Sequence, residues 1–115
     1  MNVKKKTERE TQKMSVIKIN SSNFESLKNS ERPILLDFYA DWCGPCRMLS
    51  PIVEQIADER DDVIVGKVNV DEEAALAAEF GVMSIPTVVV MRAGEIVSRA
   101  VGARPKAQLL SMLNG

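Results

Sequence analysis

Cys43 and Cys46 are the only cysteines in this chain of 115 residues, and Gly44 and Pro45 separate them. Their sulfurs can meet only if the backbone turns between them, as it does in the first turn of a helix. Pro45 suits that place, having no amide hydrogen to leave unpaired and a φ already set for a helix start, while Gly44 lets the chain enter freely. Cys43 then stands at a helix N-terminus, where free amides and the positive end of the dipole favour a thiolate and lower its pKa. Cys46, one turn inward, is expected to be the more buried. A bridge closing so small a loop restrains the unfolded chain little, which makes a structural staple a poor use of the pair. Zinc needs about four ligands. With no histidine in the chain, only a dimer sharing its cysteines would supply them, and no metal is expected. The C-x-x-C spacing at a strand-to-helix junction points instead to thiol redox chemistry.

The absence of histidine also removes Cys/His dyads and imidazole acid–base catalysis. Other groups must move protons. Asp37 interrupts an apolar run, "PILLDFY", that reads as a strand covered on both faces, where an ionised carboxylate is unfavourable and its pKa rises. The alternative is an aspartate solvated at the end of the sheet. Lys67, flanked by Gly66 and Val68 in the neighbouring strand, is placed either to reach Asp37 and tune it or to snorkel to the surface. Trp42, the single tryptophan, directly precedes the cysteines and belongs on the rim of the site.

The elements that position these residues follow from the apolar pattern. "SVIKI" (15–19) reads as a strand, and Ser22 with Glu25 has capping-box spacing for a helix carrying Phe24 and Leu27. The strand over 33–39 should be central. Leu49, Ile52, Val53 and Ile56 mark a helix face running from Cys46 to about Arg60, with Pro51 kinking it. "DVIVGKVNV" (62–70) is a strand parallel to the one before it. Asp71 is read as the cap of a short helix with Leu76 and Phe80. Strands over 87–91 and 95–101 flank "RAG" as an antiparallel hairpin, and a helix with Leu109, Leu110 and Leu113 ends the chain. The sum is βαβαβαββα, an α/β architecture with helices on both faces of a mixed sheet.

A composition of 45% hydrophobic and 27% charged residues suits one soluble domain. The formal charge is −1, but residues 1–13 carry +3 and the remainder −4. An acidic body without a basic face offers no footprint for nucleic acid, and no apolar run approaches membrane-spanning length. Residues 1–13 read as a disordered polar leader before a domain over 14–115. A weak electrostatic tether, or a start at Met14, are the alternatives. The leader lacks the apolar stretch of a secretory signal, and a cytoplasmic location is expected.

"WCGPC" after "LLDFYAD", with "SIPT" about forty residues further on, resembles the thioredoxin family from Met14 to Gly115. That resemblance implies a central five-stranded mixed sheet flanked by four helices, and a monomer. It implies a protein disulfide reductase in which Cys43 attacks, Cys46 resolves the mixed disulfide and Asp37 exchanges a proton with Cys46. By the same resemblance Trp42 shields the site, Gly44 and Pro45 face the substrate, and a cis Ile85–Pro86 peptide packs on the disulfide and pairs with an extended client segment. Gly102 and Ala103 match the other wall of that groove. The implied partners are disulfide-containing proteins and a flavin-containing, NADPH-dependent thioredoxin reductase. This chain itself has no G-x-G-x-x-G dinucleotide fingerprint. Tyr39 and Arg47 depart from the commoner tryptophan and lysine of the family. Two rival readings are an oxidase or isomerase, disfavoured by Pro45 where a histidine would stabilise the reduced thiolate, and a non-redox binding subunit.

Overall fold

The computed structural model describes residues 15–114, and the leader expected over 1–13 lies outside them. In chain order the elements are β1 (Val16–Lys18), α1 (Ser21–Leu27), β2 (Ile34–Tyr39), α2 (Gly44–Glu59), β3 (Ile64–Asn69), α3 (Ala74–Glu79), β4 (Thr87–Arg92), β5 (Glu95–Val101) and α4 (Lys106–Asn114). The strands form one sheet in the order β1-β3-β2-β4-β5. β2 is parallel to β3 and antiparallel to β4, and so lies in the middle, as its apolar sequence, interrupted only by Asp37, leads one to expect.

Alternation along the strands sends side chains to two separate cores. Leu36, Phe38, Val68 and Val89 pack with Phe24 of α1 and Leu76 of α3, and Phe80 follows directly after α3. Phe80 meets Phe24 edge-on at 5.4 Å and Phe38 at 5.2 Å between ring centroids. Leu35, Val65, Val88 and Val90 face the other way, against Leu49, Val53 and Ile56 of α2 and Leu109 and Leu113 of α4. Asp37, two residues on from Leu35, falls on this second face, under the helix that begins at the cysteines. None of the helices described is long and apolar enough to cross a membrane.

Three local expectations are corrected. The cap of α1 is Asn20 rather than Ser22: its side chain accepts from the Asn23 amide at 2.9 Å, and the Asn23 side chain accepts from the Asn20 amide at 2.8 Å. Asparagine thus performs both halves of the capping box. Asp71 does not cap α3. The carbonyl of the Asn69 side chain takes the amides of Asp71 and Glu72, at 2.9 and 3.3 Å, so the chain turns earlier and α3 starts at Ala74. The β4–β5 hairpin turns on two residues, not three. Ala93 and Gly94 both hold positive φ, 52° and 83°, a reversal whose twist matches the strands it joins and leaves Arg92 inside β4.

Candidate active site

Cys43 is the N-cap of α2, in extended conformation, and its sulfur accepts the Cys46 amide at 3.2 Å. Pro45 occupies the first turn, and the two cysteines form a disulfide across a Cα separation of 5.3 Å. Both are buried, Cys43 at 5% and Cys46 at 3% exposed, so Cys46 is the more buried, as expected, by a narrow margin. What separates them is direction. Cys43 faces the loop before β4, with its sulfur 3.9 Å from the Ile85 carbonyl oxygen. Cys46 lines a recess of about 190 Å³ on the other side, together with Tyr39, Asp41, Arg47, Ser50 and Lys67.

The Ile85–Pro86 peptide is cis, and Ile85 packs on the small cluster of Ala40, Cys43 and Cys46. Gly102 donates its amide to the Pro86 carbonyl at 2.8 Å and holds φ of 93°, a conformation that glycine adopts without strain. Ala103 follows it, exposed. A Cβ on Gly44 would meet nothing within 4 Å, so glycine there is not imposed by packing and leaves open space beside the disulfide. Trp42 is 68% exposed, and its indole N–H donates to the Asp71 carboxylate at 2.9 Å. Beside it, Val70, Val82, Met83, Ser84 and Ile85 complete a cleft of about 390 Å³, with Met83 at 96% exposure.

Asp37 is fully buried, and neither carboxylate oxygen has a hydrogen-bond partner among the described residues. Burial pushes its pKa up from 3.8 to about 6, with the Lys67 charge pulling the other way. Lys67 stands in register with Asp37 across β2 and β3. Its ammonium nonetheless donates to the Ser50 hydroxyl at 2.9 Å and lies 4.5 Å from the centre of the Tyr39 ring. The expected Lys67–Asp37 relation is therefore one of charge at a distance, not of contact.

A cysteine pair closed in the first turn of a helix, with the exposed loop before β4 on one side and a recess of charged and polar groups on the other, is built to exchange its disulfide with another molecule. The class it defines is the thiol–disulfide oxidoreductases. Comparison with known proteins narrows this: the profile of the Thioredoxin family matches residues 15–115, and the chain belongs to that family. It is 47% identical over 103 residues to the thioredoxin of Pyropia yezoensis, covering 88% of this chain and 96% of that one. The thioredoxin of Haemophilus influenzae is 48% identical over 101 residues, covering 86% and 94%. Among solved structures, a mutant thioredoxin from Halobacterium salinarum superposes with a TM-score of 0.80 at 37% identity, over 86% of this chain and 87% of that one. Oxidised mitochondrial thioredoxin 3 from Saccharomyces cerevisiae gives 0.79 at 32% identity, over 90% and 98%.

Ile85 packs on the two cysteines, Trp42 and Gly44 adjoin them in the chain, Gly102 is tied to Pro86, Asp37 lies on the sheet face that α2 covers, and Lys67 lies beside Ser50 in the recess that Cys46 lines. Sequence reasoning missed Asp71 and Ser50. Asp71 reads in sequence as a helix cap, and nothing local ties it to a tryptophan 29 positions earlier. Ser50 did carry a signal, because it lies four residues after Cys46 and so shares its face of the helix.

Proposed function

We propose that this thioredoxin-family protein is a protein disulfide reductase of the cytoplasm that works as a monomer, its domain spanning 14–115. In the reduced form the Cys43 thiolate, favoured by the amides at the start of α2, attacks one sulfur of a client disulfide. A mixed disulfide forms and one client thiolate leaves. The Cys46 thiol then gives its proton to Asp37 and attacks the Cys43 sulfur. This releases the second client thiolate and closes the Cys43–Cys46 disulfide. Two electrons have passed to the client. A separate thioredoxin reductase returns them from NADPH, and the protein needs no cofactor of its own.

The observation that carries this reading is the disulfide placed at the start of α2 beside an open groove. The backbone of Ile85, presented by its cis bond to Pro86, is the edge on which an extended client segment pairs, with Trp42 and Gly44 bordering it and Gly102 and Ala103 forming the far wall. Asp37, with a pKa of about 6, is matched to taking and returning a proton near neutral pH. The test is reduction of insulin with dithiothreitol as electron source, followed by NADPH consumption with a thioredoxin reductase. Turnover is expected in both assays. Its absence from both overturns the reductase reading.

A further inference from the structure

Lys67 and Asp37 are register partners on adjacent parallel strands. Side chains so placed leave the sheet on the same face, and the unpartnered carboxylate is the strongest acceptor an ammonium would find there. The ammonium is elsewhere. It bonds Ser50 Oγ at 2.9 Å and sits over the ring of Tyr39, two residues beyond Asp37 along β2. At roughly 3.3 Å of rise per residue, that draws the charge forward along β2, into the recess that Tyr39 and Ser50 line. Cys46 lines the same recess. Tyr39 alone does not explain the choice, since an aromatic face attracts a cation less than an ionised carboxylate does.

We propose that Ser50 is a positioning residue, whose hydroxyl tethers the Lys67 ammonium over the Cys46 recess and keeps it off the Asp37 carboxylate. Two consequences follow for resolution of the mixed disulfide. The cation faces the sulfur that must become a thiolate, and the carboxyl that must accept the proton keeps its affinity for it. Tyr39, Asp41, Cys46 and Arg47 are the other titratable or charged groups of the recess, while β4 presents apolar Val88 in register with Asp37. Among the described residues, Lys67 is the one charge that pulls on Asp37. This inference rests on the reading of Asp37 as the proton acceptor for Cys46.

The test follows the Asp37 carboxyl carbon by NMR through a pH titration of the full-length oxidised protein, in which the cysteines do not titrate. Ser50→Ala frees the ammonium to pair with Asp37, and the Asp37 midpoint falls by about one pH unit. Ser50→Thr keeps the hydroxyl and the original midpoint. Lys67→Met removes the charge and raises the midpoint, and Ser50→Ala added to Lys67→Met produces no further change. Turnover of Ser50→Ala at neutral pH drops severalfold, with threonine restoring it. An unchanged or higher midpoint in Ser50→Ala overturns the tether, as does a Ser50 effect that persists without Lys67. Failure of the underlying reading shows separately. If Asp37→Asn resolves mixed disulfides as fast as the unaltered protein, Asp37 is not the acceptor, whatever the Ser50 titrations give.

Discussion

Burial alone does not separate the roles of the two cysteines, because both are nearly inaccessible. Their surroundings do. The Cys43 sulfur is held at the helix cap toward the Ile85 carbonyl, on the side of the open groove, and Cys46 opens toward charged and polar groups in a recess. In the mechanism proposed above, an incoming client disulfide meets Cys43 first. Cys46→Ser, which removes the sulfur proposed to resolve the mixed disulfide and keeps the side chain's size close, is expected to accumulate covalent client adducts through Cys43. Mass spectrometry of non-reduced adducts formed with a client disulfide reads this directly. Adducts joined through Cys46 in the reciprocal Cys43→Ser variant, with none in Cys46→Ser, reverse the assignment. The aspartate at position 37 is legible in the sequence as an anomaly, a charge in a strand with no wet face. The partners of Trp42 and Lys67 are not, because each bond joins residues far apart in sequence, 29 positions for Trp42–Asp71 and 17 for Lys67–Ser50.

At the scale of elements, strand identity and order are readable wherever burial dictates composition. β2 shows it best, being buried over Ile34–Phe38 and apolar there except at Asp37. Caps and turns are less readable, because Asn20, Asn23 and Asn69 act through side-chain geometry that many neighbouring polar residues mimic in sequence. Gly66 shows a constraint of the same hidden kind. It lies inside β3, where a Cβ would stand 2.5 Å from Ile19 Cγ1 and 3.3 Å from Leu36 Cδ2, both belonging to buried side chains. Without that Cβ, the side chain of Ile19, just after β1, lies over Gly66 and is buried. Gly66→Ala gains β-strand preference locally, yet it overpacks the core between β1 and β3. A net loss of about 1–3 kcal/mol is expected, read as a lower urea midpoint with an unchanged slope. An equal or higher midpoint would show that Ile19 yields without cost.

For the molecule as a whole, the site opposes stability, and a single group sets the sign. Asp37 is fully buried without a hydrogen-bond partner among the described residues, and its pKa lies at about 6 in the fold against 3.8 for the free side chain. The native state therefore holds this proton more tightly than the unfolded chain. Its contribution to stability is fully present below pH 4 and is lost as pH rises through 6. The difference between the two pKa values corresponds to about 3 kcal/mol, a large share of what a domain of this size possesses. Asp62, held at about 2 by Arg60, acts oppositely, but its window lies below pH 4 and does not overlap. Asp37→Asn removes the titration while keeping the shape. Urea unfolding of the oxidised protein at pH 4.5 and pH 7.5 is expected to show the unaltered chain losing stability between the two, and the variant losing little. At pH 7.5 the variant becomes the more stable protein even as its resolution step slows. Equal pH dependence in the two chains would mean that water or a shifted Lys67 neutralises the carboxylate in the native state. A stability gain joined to a loss of turnover would identify the buried ionised carboxylate as a cost that the whole fold carries for one proton transfer.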